Sequence, residues 1–96
     1  MGFTTIKSKH LSASGTIIGG SSRIKSVYYV HGAGVGIIDI KDGGASGTTV
    51  ATINTMAGVG EYQIEMPDPG IRCTDTTNGS YALLTGGVSF VTIFYD

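Results

Sequence analysis

Tryptophan is absent from this chain, cysteine occurs once, at Cys73, and proline twice, at Pro67 and Pro69. A single cysteine excludes an intrachain disulfide, so the cross-linked framework that many small secreted domains use to supplement a thin core is closed to this one. Cys73 and two isolated histidines, His10 and His31, give no paired ligand spacing for zinc, and no metal or other cofactor is expected. Charge is scarce as well, 14% of residues against about 25% in an ordinary globular domain. No apolar run approaches the ~20 residues of a membrane-spanning helix. The amino terminus lacks the basic, apolar and cleavage regions of a signal peptide, so synthesis in a cytoplasm is expected.

What remains is 96 residues, 16 of them glycine, with Ser and Thr supplying most of the polarity. That length makes one domain, and a chain of this size buries only roughly 60–65% of the surface it exposes when unfolded. Oligomerisation or docking on a partner is one way to supply the missing buried area. Hydroxyl side chains are cheaper to cover than full charges, which suits a surface packed against neighbours. The net charge of −1 is unevenly spread: Lys7, Lys9, Arg23 and Lys25 precede every acid, and from Asp39 onward seven acids face only Lys41 and Arg72. Such asymmetry can steer head-to-tail association between copies. Four basic residues scattered over nearly twenty positions are no footprint for nucleic acid.

Strand signals recur along the chain. Two β-branched runs, residues 35–41 and 48–53, flank the turn-forming segment 42–47 and predict a β-hairpin whose tip is free to face solvent or a neighbour. Residues 3–7 and 11–18 are the first expected strands, and residues 1–20 form an amino-terminal strand or docking arm ahead of a domain at 21–96. Ile24, Tyr28 and Val30 fall on one face of a strand over 23–30, and residues 31–34 are read as the turn that follows it. Tyr62, Ile64 and Met66 alternate with Glu61, Gln63 and Glu65, which predicts one buried and one wet face. Pro69 and Gly70 fit the second and third positions of a type II turn. Strands over 71–74, 81–85 and 88–95 follow, the last two separated by Gly86-Gly87. Residues 88–95 are apolar on both faces, a pattern for a central strand or one whose outer face meets another chain. No window keeps helical periodicity. The expectation is an all-β fold, a small β-sandwich or jelly roll of seven to eight short antiparallel strands without substantial helix.

No catalytic constellation emerges. Glycine-rich residues 43–49 lack the lysine and the following helix of a phosphate loop. Cys73 has no helix terminus beside it to lower its pKa and reads as a buried, inert thiol, although His31 or His10 would be its partner as a base. Asp39 with Asp42, or Asp68 with Asp75, match no calcium loop, and Asp39 is placed for a surface ion pair with Lys41. Asn78-Gly79-Ser80 is formally a glycosylation sequon but reads as a turn. Tyr28, Tyr29, Tyr62, Tyr81 and Tyr95 are the candidates for lining a sugar-binding surface, with Tyr28, Tyr29 or Tyr81 stacking on sugar. Tyrosines in alternating strands are more often core or interface residues, and the tryptophan that sugar surfaces favour is absent. A non-enzymatic protein is expected.

The order of features resembles small virion structural proteins of tailed phages, notably those infecting marine bacteria. The resemblance rests on Arg23-Ile24-Lys25-Ser26-Val27-Tyr28-Tyr29, Lys41-Asp42-Gly43-Gly44 with Gly47-Thr48-Thr49, residues 67–72, and the closing Val91-Thr92-Ile93-Phe94-Tyr95. It implies a β-sandwich present in many copies on the particle, with no active site to carry over. The function it suggests is a capsid decoration (cement) protein bound outside the head shell, homo-oligomeric, with the major capsid protein or other virion proteins as partners. A tail or connector component, or a carbohydrate-binding module recognising host glycan, is the alternative. Phe3, Ile6, Leu11, Val91, Ile93 and Tyr95 are the candidate interface. No nucleic acid and no membrane are expected as partners.

Overall fold

The structure, a computed structural model, describes residues 6–96. Phe3 and most of the first expected strand lie outside the described residues. Seven strands follow in order: β1 (Lys7–Leu11), β2 (Gly15–Ile18), β3 (Ser22–Asp42), β4 (Thr48–Asn54), β5 (Gly60–Glu65), β6 (Ile71–Cys73) and β7 (Ser80–Tyr95). They form one antiparallel sheet, and there is no helix among the described residues. The chain is all-β, as its composition and alternation predict.

Two departures from the sequence reading define the architecture. Residues 31–34 do not turn the chain, and Gly86-Gly87 does not divide the last strand: β3 runs for 21 residues and β7 for 16. These two pair along most of their lengths and form the spine. β1 and β2 line the free side of β7, and β4, β5 and β6 line the free side of β3. Residues 7–18 are therefore strands of the sheet, split at Ser12–Ser14, and not a detached arm.

Drawn straight, 21 strand residues would span roughly 65–70 Å, yet the longest dimension of the molecule is 42 Å. The two ends of β3 instead come back together. Ser22 pairs with Cys73, and the next residue, Thr74, donates its N–H to Asp42 Oδ2 at 2.9 Å. The sheet is thus folded over into a sandwich. One layer holds β1, the end of β7, the start of β3, β5 and β6; the other holds β2, the start of β7, the end of β3 and β4. Between them lie Ile17, Ile24, Val27, Tyr29, Ile38, Ile40, Cys73, Ala82, Val91, Ile93 and Tyr95.

The fold-over is made by glycine and bulges. Between His31↔Val88 and Gly36↔Gly86 the register jumps, so that β3 takes the outer path and β7 the inner corner. A Cβ on Gly36 would meet the Thr85 carbonyl oxygen at 2.8 Å and the Gly87 nitrogen at 2.9 Å. Across the corner β3 keeps one register with its other neighbours. Ile37↔Asn54 and Tyr29↔Tyr62 belong to two separate ladders with the same offset, joined across residues 55–59 by Thr55 N–H to Gly36 O and Gly58 N–H to Ala33 O, both 2.9 Å. The expected hairpin therefore extends well beyond 35–53.

Its tip is also tied down. Gly43 and Gly44 donate to the Gly79 carbonyl at 2.8 and 3.2 Å. Asp42 accepts from Thr74 N and Oγ1 at 2.9 and 3.2 Å and from Asp75 N at 3.0 Å. Asp75 in turn accepts from Thr77 N and Asn78 N at 2.8 and 2.6 Å. Residues 42–47 are docked on the β6–β7 connection instead of standing free. The Pro67–Gly70 turn sits one residue earlier than expected: Gly70 N–H bonds the Pro67 carbonyl at 2.6 Å, the Asp68–Pro69 peptide is cis, and Gly70 keeps its positive φ of 107°.

The latch carries a pH prediction. Backbone donors, Thr74 N–H first for Asp42 and Asn78 N–H first for Asp75, hold both carboxyls below the ordinary carboxylate range. A depressed folded pKa contributes stability that is complete above the unfolded value and lost as pH falls through the folded one. Thermal midpoints are therefore expected to be level near neutrality and to fall below about pH 4. Asp42→Asn is expected to lower the midpoint at pH 7 and to flatten that acid limb, as scanning calorimetry would show. An unchanged acid limb in the variant would remove the latch from the account.

Candidate functional site

The expected interface residues divide by face. Val91 and Ile93 are 0% exposed and Tyr95 9%, because their side of β7 points between the two layers. They belong to the chain's own core and are not available to another chain. Leu11 is half-buried against the same core, since it pairs with Val91. Ile6 is exposed, and Phe3 lies outside the described residues. The opposite face of the last strand carries Phe90 and Phe94, both half-buried, with the Phe90 ring 5.1 Å from that of His10. Val88 leaves that face, because the register shift before it places it opposite His31.

The candidate chemistry is dispersed. Cys73 is buried, and burial first, with the Asp42 charge adding, pushes its thiol up to about 11, so it stays protonated at neutral pH. It pairs at the start of β3 while His31 sits at the bend, and His10 packs on the outer face of β7, so no cysteine–histidine pair assembles. Asp39 accepts a hydrogen bond from Thr52 Oγ1 at 2.7 Å, while Lys41 Nζ donates to the Ala45 carbonyl at 3.3 Å. The expected Asp39–Lys41 pair does not form; among the described residues the ion pair present is Lys25–Asp96, at 3.7 Å. No group of three potential metal ligands occurs among the described residues.

Of the tyrosines proposed for sugar, Tyr29 is buried and Tyr28 donates its hydroxyl to Glu61. Tyr81 is half-buried. Tyr62 is the half-exposed one, its ring stacked on His31 at 6.2 Å. His31 is 4% exposed, and neither ring nitrogen has a partner among the described residues. A polar cavity of about 200 Å³ is lined by Ser21, Ser22, Arg23, Arg72 and Asp96. Asp96 pairs through its backbone with Arg23, which stands opposite Arg72, and its carboxylate lies 3.7 Å from Lys25 Nζ.

The surface that the sequence reading missed lies at the bend. Val59 is 84% exposed, Val35 67%, Met56 62%, Tyr62 50% and Ile37 39%. The shared register explains why they gather. Ile37 stands opposite Asn54, and the ladder bonds on either side, Gly36 with Thr55 and Ala33 with Gly58, set Val35 opposite Met56 on the same face as Ile37. Val59 lies just before β5, and Tyr62 stands in β5 opposite Tyr29. These exposed apolar side chains at the bend are the candidate surface for an interaction. The signal in the sequence was Val35 and Ile37 alternating with Gly36 and Ile38, two apolar faces of which only one can be inside.

Comparison with known proteins adds no relative: no family, no curated protein and no solved structure matches the chain.

Proposed function

We propose that this chain is a non-enzymatic virion structural protein of tailed phages, a decoration protein that docks on the outside of the head shell and adds buried area across joints between shell subunits. The observation that carries the reading is the apolar bend of Val35, Ile37, Met56, Val59 and Tyr62, on a chain with few charges and a latched, doubled sheet. An apolar end on a rigid body is suited to seat on a groove of a larger assembly, and no chemistry at the site competes with that role. The sequence resemblance supports the same assignment. A tail or connector position would use the same end.

Particles assembled with the chain, analysed by quantitative mass spectrometry, are expected to contain it in many copies. Met56→Glu with Val59→Glu, both at exposed positions, is expected to change stability by less than about 1 kcal/mol and to reduce incorporation at least ~10-fold. Absence from heads and tails, together with retention on a glycan array lost in Tyr62→Ala, would replace this reading with the carbohydrate-binding one.

A further inference from the structure

β4 reads Thr-Thr-Val-Ala-Thr-Ile-Asn, with no ionisable side chain and no proline. Among the described residues it pairs only with β3, so the backbone N–H and C=O groups along its other side face outward. Sheet edges of soluble proteins are commonly blunted by charge to prevent pairing between chains, and three of the other edges of this sheet follow that rule. β1 carries Lys7 and Lys9, β5 carries Glu61 and Glu65, and β6 carries Arg72. β2 is uncharged too, but it is only four residues long and its register breaks between Thr16 and Ile18. β4 is the longer uncharged edge.

We propose that β4 is the pairing edge of a two-fold dimer, in which a second copy of this chain lays its own β4 antiparallel alongside and the layer β2-β7-β3-β4 runs on into its symmetry mate. The occupant follows from charge. In a two-fold pairing each position faces a position of the same strand, so a charged strand sets like charges against each other. A β1–β1 contact would oppose lysines and a β5–β5 contact glutamates, whereas β4 meets only Thr, Val, Ala, Ile and Asn. Cross-strand threonine pairs are favourable in themselves. The joint also extends past the backbone: Ile37 on the neighbouring strand and Met56 just beyond Asn54 are 39% and 62% exposed, on the outer face beside the edge.

This deepens the assembly reading by naming the copy-to-copy contact within it, and it is measured on the purified chain with no virion component present. Sedimentation equilibrium is expected to show a monomer–dimer equilibrium with Kd of about 1–100 µM. Amide hydrogen exchange in residues 48–54 is expected to slow as protein concentration rises, while exchange in β1 and β5 stays constant. Thr49→Lys with Thr52→Lys is expected to weaken dimerisation at least ~10-fold with an unchanged circular dichroism spectrum. A monomer at about 100 µM, or a dimer whose β4 exchange does not depend on concentration, overturns the pairing; the exchange test needs no variant. A dimer absent from particles overturns the capsid reading alone, and a monomer that enters particles overturns the pairing alone.

Discussion

Gly87→Ala is expected to leave the chain without its native fold. A Cβ built at Gly87 lies 1.9 Å from the carbonyl oxygen of Gly34 and 2.6 Å from the carbonyl carbon. Both atoms are backbone at the inside of the corner where β3 and β7 bend together, so no side-chain rotamer can relieve the overlap. Moving β3 outward would open the approach of Gly36 to Thr85 and Gly87 and unlatch the two layers. The expected loss is at least ~4 kcal/mol, against a total stability of about 5–15 kcal/mol for a domain of this kind. Circular dichroism at 25 °C should show loss of the strand signal, or a urea midpoint less than about half that of the parent. The control is Gly34→Ala at the same corner, whose added Cβ meets nothing within 4 Å. It should change stability by less than about 1 kcal/mol. A well-folded Gly87→Ala protein would mean that the strands do not cross the corner as described.

That glycine also shows where the sequence stops being legible. Residues 31–34 read as a turn and Gly86-Gly87 as a break between two strands because clustered glycines punctuate local structure. Here the same residues allow two long strands to fold over without breaking, and local pattern does not separate a turn from a corner. The all-β class was legible because it needs only β-branched alternation and the lack of helical period. Segment 61–66 was read as one buried and one wet face, and the structure grades this: Ile64 and Met66 are half-buried, while Tyr62 is 50% exposed at the edge near the bend.

The candidate site was harder to see. Val35-Gly36-Ile37-Ile38 and Val91-Thr92-Ile93-Phe94 both have apolar residues at alternating and adjacent positions, so periodicity of two cannot say which set faces inward. Only the doubling of the sheet decides: β7 is the central strand that a doubly apolar pattern allows, and the interface expected at Val91, Ile93 and Tyr95 is core. Val35 and Ile37 come out, and Val91 and Ile93 go in. The docked tip at 42–47 was equally out of reach, since its partner Gly79 lies more than thirty residues away in sequence and no local signal points to it.

Val91→Lys separates the two readings of the last strand, and unfolding is the expected result. Val91 is 0% exposed and sits in a strand paired on both sides, opposite Leu11 in β1 and Tyr29 in β3. An ammonium group there has no edge to escape along, and its burial without a partner is costly enough to exceed the remaining stability. The milder Val91→Ala is expected to lose about 2 kcal/mol through lost burial and the cavity left behind, measured as a shift of the urea midpoint at constant slope. Phe90→Lys, one residue earlier on the half-buried outer face, should lose about 1–2 kcal/mol of packing on His10 and remain folded. Were Val91→Lys to fold with a near-parental midpoint and lose only its association with other chains, the side of β7 assigned to the core would be an interface. The bend and the β4 edge would then no longer be the surfaces through which the molecule meets its neighbours.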